Sequence, residues 1–234
     1  MSQVSWSLET LGIMHSCYQE KFAVPRQPGL APSALATLEL LPPYNQAEFV
    51  EGLEGFSHLW LSFIFHQNLA QGWKPKVRPP RLGGNKKVGV FASRSTFRPN
   101  ALGLSVVKLE GIDLNEGVKL HVSGADLIDG TPVVDIKPYI PWVDSQVEAT
   151  AAWVAAPPEL LTVSFKNKAE LQLAAHPQGK QLKQLIIEVL AQNPRPAYQK
   201  IDTQRIYGVK LADLNVQFCY QLNSSLEVIA INAV

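Results

Sequence analysis

Through the first two-thirds of this chain apolar residues come in short runs, at 36–41, 59–65, 103–109, 118–122 and 132–136, separated by glycine, proline and asparagine. Runs of that length, alternating or rich in β-branched residues, suit strands, and the turn residues between them favour antiparallel return. Val118, Leu120 and Val122 alternate with Lys119, His121 and Ser123, as a strand with one wet face requires, and 111–117 reads as the turn before it. The intervening 46–52 and 68–73 leave room only for single short helices. Crossover helices are too few for a doubly wound sheet, so the expected body is β-rich and closed as a barrel.

The pattern changes after Trp153. Ala155, Ala156, Pro157 and Pro158 form a punctuated connector, followed by helix-favouring runs at 166–175 and 180–192. Leu182, Leu185, Ile186, Val189 and Leu190 recur at helical spacing, and Pro194 and Pro196 stop the helix. Strand-like runs follow at 205–211 and 215–222, where Val216, Phe218, Tyr220 and Leu222 alternate with Gln217, Cys219 and Gln221. A turn at 223–225 leads to a last strand at 226–231. The expected organisation is a β-barrel over 1–156 and a small α+β domain over 157–234.

Several function classes drop out. The 21 Lys and Arg against 20 Asp and Glu give +1, which argues against coating nucleic acid by bulk charge. The apolar stretch at 59–65 is far short of the ~20 residues that cross a bilayer. Residues 1–10 place no positive region before an apolar run, so no secretory or mitochondrial address is expected. Cys17 and Cys219 lie far apart, and with them a reducing cytoplasm is expected. Neither the dinucleotide glycine fingerprint, the phosphate-cradling loop nor a nucleophile elbow occurs. His15, His58, His66, His121 and His176 show no paired helical spacing, so no metal site is expected.

Charge is local instead. From Trp73 to Arg98 stand Lys74, Lys76, Arg78, Arg81, Lys86, Lys87, Arg94 and Arg98 with no Asp or Glu, either an anion track or a solvated loop balanced by acidic neighbours in space.

Polar, Pro- or Gly-punctuated segments carry the chemistry. In Val24-Pro25-Arg26-Gln27-Pro28-Gly29 two prolines pin an Arg and a Gln, unless this is a plain surface turn. Phe63-Ile64-Phe65-His66-Gln67-Asn68 ends a strand with an imidazole and an amide, types that read a heteroaromatic edge, unless the His is a structural strand end. Phe91-Ala92-Ser93-Arg94-Ser95-Thr96-Phe97-Arg98-Pro99-Asn100 sets two guanidiniums among hydroxyls and an amide between aromatics, suited to a carboxylate or phosphate, with an Arg-rich surface loop as the alternative. Asp126 to Tyr139 joins a Gly turn to a strand whose Asp135 and Lys137 share one face, with a structural ion pair as the alternative. Asn193-Pro194-Arg195-Pro196-Ala197-Tyr198 is a stiff Arg and Tyr at a helix end.

Read in order, PRQPG, FxFHQ, RSTFRPN, DGTPVVDIKPY and PRPAY resemble the TsaA-like family known as TrmO across nearly the whole chain. The resemblance implies a single-sheeted antiparallel β-barrel with a small C-terminal domain, assembled as a homodimer. It implies S-adenosylmethionine as cofactor and, as reaction, methylation of N6 of N6-threonylcarbamoyladenosine at position 37 in the anticodon loop of threonine tRNA. Carried over residue by residue, it puts cofactor contacts at Pro25, Arg26, Gln27, His66, Gln67, Arg94, Leu104, Ile128, Asp129, Gly130 and Thr131, and brings the PRPAY loop to the active site of the other subunit. Two positions depart from the family: Asn193 stands where Asp is usual and Ala101 where a second Pro is usual.

On that resemblance, methyl transfer is an in-line displacement eased by positioning, and no nucleophilic side chain is needed. The accepting nitrogen must lose a proton, which Asp135 or Tyr139 is typed to accept. Arg98, Asn100, Lys137, Arg195 and Tyr198 are the expected tRNA contacts, with Phe97 and Tyr198 available to stack on the unpaired base. The competing reading is an RNA-binding barrel that holds RNA without chemistry.

Overall fold

In a computed structural model, residues 5–196, 199–222 and 224–234 are described. The first strands are β1 (Gly12–Ser16), β2 (Leu35–Leu40) and β3 (His58–Ile64). A long connection carries two-residue strands β4 (Lys76–Val77) and β5 (Val88–Gly89), and β6 (Leu102–Asp113), β7 (Lys119–Ser123) and β8 (Thr131–Pro138) follow. Six of these close into an antiparallel barrel in the order β1-β2-β7-β6-β3-β8. Inward positions alternate as the pleat demands, so Met14, Leu38, Leu59, Leu61, Val107, Leu120 and Val133 fill the interior.

Strand β6 runs to Asp113 past an irregularity between Leu109 and Gly111. The turn before β7 is therefore shorter than the 111–117 expected, because a bulge lets a strand continue where simple alternation stops. The expected short helices are 3₁₀ turns: Ala47–Phe49 falls within 46–52 with Leu53–Gly55 just beyond it, and His66–Gln71 overlaps 68–73. Strand β1 falls outside the apolar runs singled out above, since its five residues include His15 and Ser16.

After the short helix α1 (Pro141–Asp144) the chain forms β9 (Thr162–Phe165), α2 (Asn167–Ala174), α3 (Gly179–Ala191), β10 (Tyr207–Leu211), β11 (Leu214–Gln221) and β12 (Ser225–Ala233). The second sheet has the order β10-β11-β12-β9, with β9 parallel to β12. Helix α3 buries Leu182, Leu185, Ile186, Val189 and Leu190, the stripe its spacing predicts. Leu222 lies past the end of β11 and is 73% exposed, so it does not join the alternation of Val216, Phe218 and Tyr220. Of the expected turn at 223–225, Asn223 lies outside the described residues.

The second core is not built from the C-terminal segment alone. Tyr18, Ala23, Ala31 and Ala34, from the connection between β1 and β2, are buried in it with α2, α3 and the second sheet. Ser33 donates from its backbone N and its Oγ to the Glu188 carboxylate, each at 2.8 Å, and Gln192 Nε2 donates to the Leu30 carbonyl at 3.0 Å.

Candidate functional site

In an antiparallel ring every second connection returns to the same end. The connections 17–34, 65–101 and 124–130 therefore all emerge at one rim of the barrel, where Ser16, Leu35, Ile64, Leu102, Ser123 and Thr131 stand. The sequence scatters PRQPG, HQ, RSTFRPN and the Ile128 to Thr131 turn over more than a hundred positions, and strand direction gathers them on this rim.

Hydrogen bonds tie the connections together around 17–34. Arg94 Nη1 donates to Gln27 Oε1 at 2.5 Å, placing the proline-braced turn and the arginine loop side by side. Lys21 Nζ donates to the Gln67 carbonyl at 2.9 Å. The Gly29 N–H donates to the Gly124 carbonyl at 2.8 Å, and the Asp129 N–H to the Tyr18 carbonyl at 2.9 Å. Asp129 Oδ1 in turn accepts from the Ser16 N–H at 2.9 Å. Gly130, at φ +76°, closes the turn in the left-handed region that glycine adopts without strain. Thr131 Oγ1 caps it by donating to the Ile128 carbonyl at 2.6 Å.

Beneath Arg94 lies a residue with no role in the sequence reading. Asp126 accepts a bond from Ser105 Oγ at 2.6 Å. Burial pushes its carboxyl up to about 6, and the Ser105 bond and the Arg94 charge only partly offset that. Ser105 is buried, facing inward on β6 between Gly103 and Val107.

Leu104 is on the opposite face of β6 and 57% exposed. Register puts it in a row with Ser62 on β3 and Asp135 on β8. The next rows are Val106, Trp60 and Lys137, then Lys108 and His58. Asp135 faces outward because β8 slips against β3 at Ser62/Phe63, leaving Val134 as an extra residue between inward Val133 and outward Asp135. Asp135 and Lys137 are thus both exposed on one face, and no ion pair joins them. A cleft of about 290 Å³ runs between Pro28 and Gly29 of the proline turn and Val106 and Lys108 of this outer face.

Other expected residues are placed differently. Tyr139 lies at the far end of β8, its ring 5.8 Å from that of Trp60 and 6.3 Å from that of His58. It is four residues beyond Asp135, roughly 13 Å along the strand and away from the rim. Arg98 spends a donor on its own loop, to the Ser93 carbonyl at 2.7 Å. Asn100 is exposed where that loop enters β6. Lys74 Nζ sits 3.9 Å from the Phe97 ring centroid, so one stacking face of Phe97 is taken, whereas Phe91, the aromatic at the start of the same segment, is 77% exposed. Ala197 and Tyr198 lie outside the described residues. None of the eight basic residues between 73 and 98 forms an ion pair among the described residues, so no carboxylate at pairing distance balances the stretch.

The loop before Ala197 docks on its own chain. Asn193, at φ +53°, ends the turn after α3 in a conformation asparagine tolerates. Its Oδ1 accepts from Tyr220 Oη at 3.1 Å, and the same hydroxyl accepts the Arg195 N–H at 3.3 Å. Arg26 Nη2 reaches the Arg195 carbonyl at 3.4 Å. Among the described residues, no group of three or more His, Cys, Asp or Glu is placed to hold a metal, and no helix is long and apolar enough to cross a membrane.

A closed antiparallel barrel with a polar, arginine-bearing rim and an attached α+β sheet sets this protein apart from the doubly wound methyltransferases and aligns it with the barrel-type class. The chain belongs to the tRNA-methyltransferase O family: residues 13–145 match the family's N-terminal domain model and 158–234 its C-terminal domain model. It is 52% identical over 218 residues to the tRNA (adenine(37)-N6)-methyltransferase of Escherichia coli, covering 92% of this chain and 93% of that one. It is 53% identical over 218 residues to a putative S-adenosylmethionine-dependent methyltransferase, RcsF, of Pseudomonas aeruginosa, with 92% of both chains covered. The crystal structure of TrmO from Pseudomonas aeruginosa superposes with a TM-score of 0.82 at 42% identity, covering 98% of this chain and 99% of that one.

Proposed function

We propose that this protein is an S-adenosylmethionine-dependent tRNA methyltransferase acting on N6 of adenine 37, and that its substrate is N6-threonylcarbamoyladenosine in threonine tRNA. The observation that carries the reading is the Arg94 to Gln27 contact at 2.5 Å, which brings two segments 67 residues apart side by side on the barrel rim. The segments around that contact suit the cofactor chemically: Pro25 and exposed Leu104 offer apolar surface for an adenosyl group, and Gln27, Gln67, Arg26 and Arg94 offer amide and guanidinium donors for its polar edges, beside the cleft lined by Pro28, Gly29, Val106 and Lys108. Pro25, Arg26, Gln27, His66, Gln67, Arg94, Leu104 and the Ile128 to Thr131 turn would hold it. Bound there, S-adenosylmethionine supplies a methyl group activated by a sulfonium.

The chain's own residues then orient and deprotonate. Asp135 shares its row with Leu104, two strand spacings or about 10 Å away, and is the better placed proton acceptor. Tyr139, held among Trp60 and His58, is assigned a packing role. Lys137, Arg98, Asn100, Arg195 and Tyr198 are assigned to the tRNA. On this reading 1–156 is the methyl-transferring domain, 157–234 the small domain that steadies the rim, and the enzyme works in the cytoplasm. Exposed Trp142 and Val143, at 85% and 46%, offer apolar surface for the second copy of a homodimer, which sedimentation tests directly.

The deciding experiment is mass spectrometry of nucleosides from threonine tRNA incubated with protein and cofactor. The expected result is a gain of one methyl on the threonylcarbamoylated adenosine. Asp135→Asn should lower kcat at least tenfold with cofactor affinity kept, while Tyr139→Phe changes kcat little. Absence of both cofactor binding and methyl gain would leave the RNA-binding barrel as the correct reading.

A further inference from the structure

Arg26 and Arg195, far apart in the chain, touch where the barrel rim adjoins the C-terminal sheet, and the charge of Arg81 reaches Arg26 from the side of the interdomain connector. Arg26 reaches the backbone of Arg195. Its guanidinium is held below its ordinary value first by burial, then by the charge of Arg81, with only the Tyr220 hydroxyl acting the other way. Arg81, in the 3₁₀ turn Pro80–Leu82, is exposed and donates through Nη1 to the Ala156 carbonyl in the connector between the two domains. Arg195 lies 5.6 Å over the Tyr220 ring, and its Nε is buried with no hydrogen-bond partner among the described residues.

No carboxylate pairs with any of the three among the described residues. Like charges drawn together on partly desolvated ground repel one another, and a buried guanidinium N–H without an acceptor loses the bonds water gave it. Both features are satisfied by one ligand with negatively charged oxygens, and the planar fork of arginine matches a carboxylate or a phosphate. The three residues are held by backbone and aromatic contacts that leave guanidinium donors free, as an anion site requires.

We propose that Arg26, Arg81 and Arg195 form an oxyanion-binding site at this seam, and that its ligand is a group of the RNA substrate, either the carboxylate on the modified base or a backbone phosphate beside it. The proposal rests on the methyl-transfer reading for the identity of the RNA. Arg81 supplies the exposed arm, Arg195 the buried one, and Arg26 joins the site to the proline turn that borders the cofactor cleft.

The test measures binding of two synthetic anticodon stem-loops, identical except for the threonylcarbamoyl group, to the full-length protein and its Arg81→Ala, Arg81→Lys and Arg195→Ala variants by fluorescence anisotropy. Calorimetric cofactor titration of each variant reports whether the cleft is intact. The expected result is at least tenfold weaker RNA binding for both alanine variants, partial recovery in Arg81→Lys, and unchanged cofactor affinity. A loss confined to the modified stem-loop assigns the carboxylate; an equal loss on both assigns the phosphate. Unaltered binding of both stem-loops, or cofactor affinity falling in step with RNA affinity, overturns the proposal. Methyl transfer by the unaltered protein is read in the same preparation, so failure of the enzymatic reading shows there and leaves the binding arms to decide the anion site.

Discussion

At the scale of single residues, Asp126 shows how a site group can cost stability. Its folded pKa of about 6 lies above an ordinary 3.8, so the native state holds the proton more tightly than the unfolded chain does. The native state is therefore favoured most below about pH 4, and that advantage is lost as pH rises toward 6. Fully counted, the difference is worth about 3 kcal/mol against the fold at neutral pH. Asp126→Asn should raise Tm at pH 8, and the gain should shrink toward zero as unfolding is repeated down to pH 4. A gain of equal size at both pH values would mean the carboxyl is not the titrating cause. The main offsetting interaction is the hydrogen bond from Ser105, with the Arg94 charge a smaller one, so removing the carboxylate charge should also weaken the hold on Arg94. Asn193 makes a complementary point. The family's usual acid is absent there, and the amide works as a helix stop and a seat for Tyr220.

Among elements, β6 and β8 do most to build the site, each through a local departure from regular strand. Gly103 lies opposite Phe63, and a Cβ on it would fall 2.4 Å from the Phe63 ring, so the barrel interior closes there only because that atom is missing. Gly103→Ala should lower stability by about 1–3 kcal/mol. The same change in a Phe63→Leu background should cost measurably less, and thermal unfolding of the four proteins gives the coupling. If the costs simply add, the close approach is not the reason. In β8 the irregularity beside Val134 turns Asp135 outward, which strict alternation from Val133 would not do. The sharing of a face by Asp135 and Lys137 was legible from their spacing. Which face they share was not, because a bulge depends on the neighbouring strand.

On the scale of the whole molecule, near-neutral net charge conceals a strongly basic connection. The residues from Trp73 to Arg98 keep their charges unpaired among the described residues, on the rim that also carries Gln27 and Gln67. If about four of them neutralise phosphates, tRNA affinity should fall about a hundredfold between 50 and 200 mM salt. Cofactor affinity should change little over the same range, and a flat RNA salt dependence would remove the basic track from the account.

Much of this protein was determined by its sequence alone. Period-two runs and turn residues specify antiparallel strands, the five-residue apolar stripe specifies α3, and the order of the polar segments specifies the family. These are local properties, set by pleat, helical pitch and side-chain type. The meeting of the segments was decided elsewhere. Ring closure sends alternate connections to one rim, and the 17–34 connection buries Tyr18 and Ala31 in the C-terminal core while presenting Gln27 to Arg94. Arg26, Arg81 and Arg195 likewise stand in separate segments of the sequence, and only the assembled sheets relate them. Contacts between residues far apart in sequence depend on which strands pair and in what register, and that is a property of the packed whole.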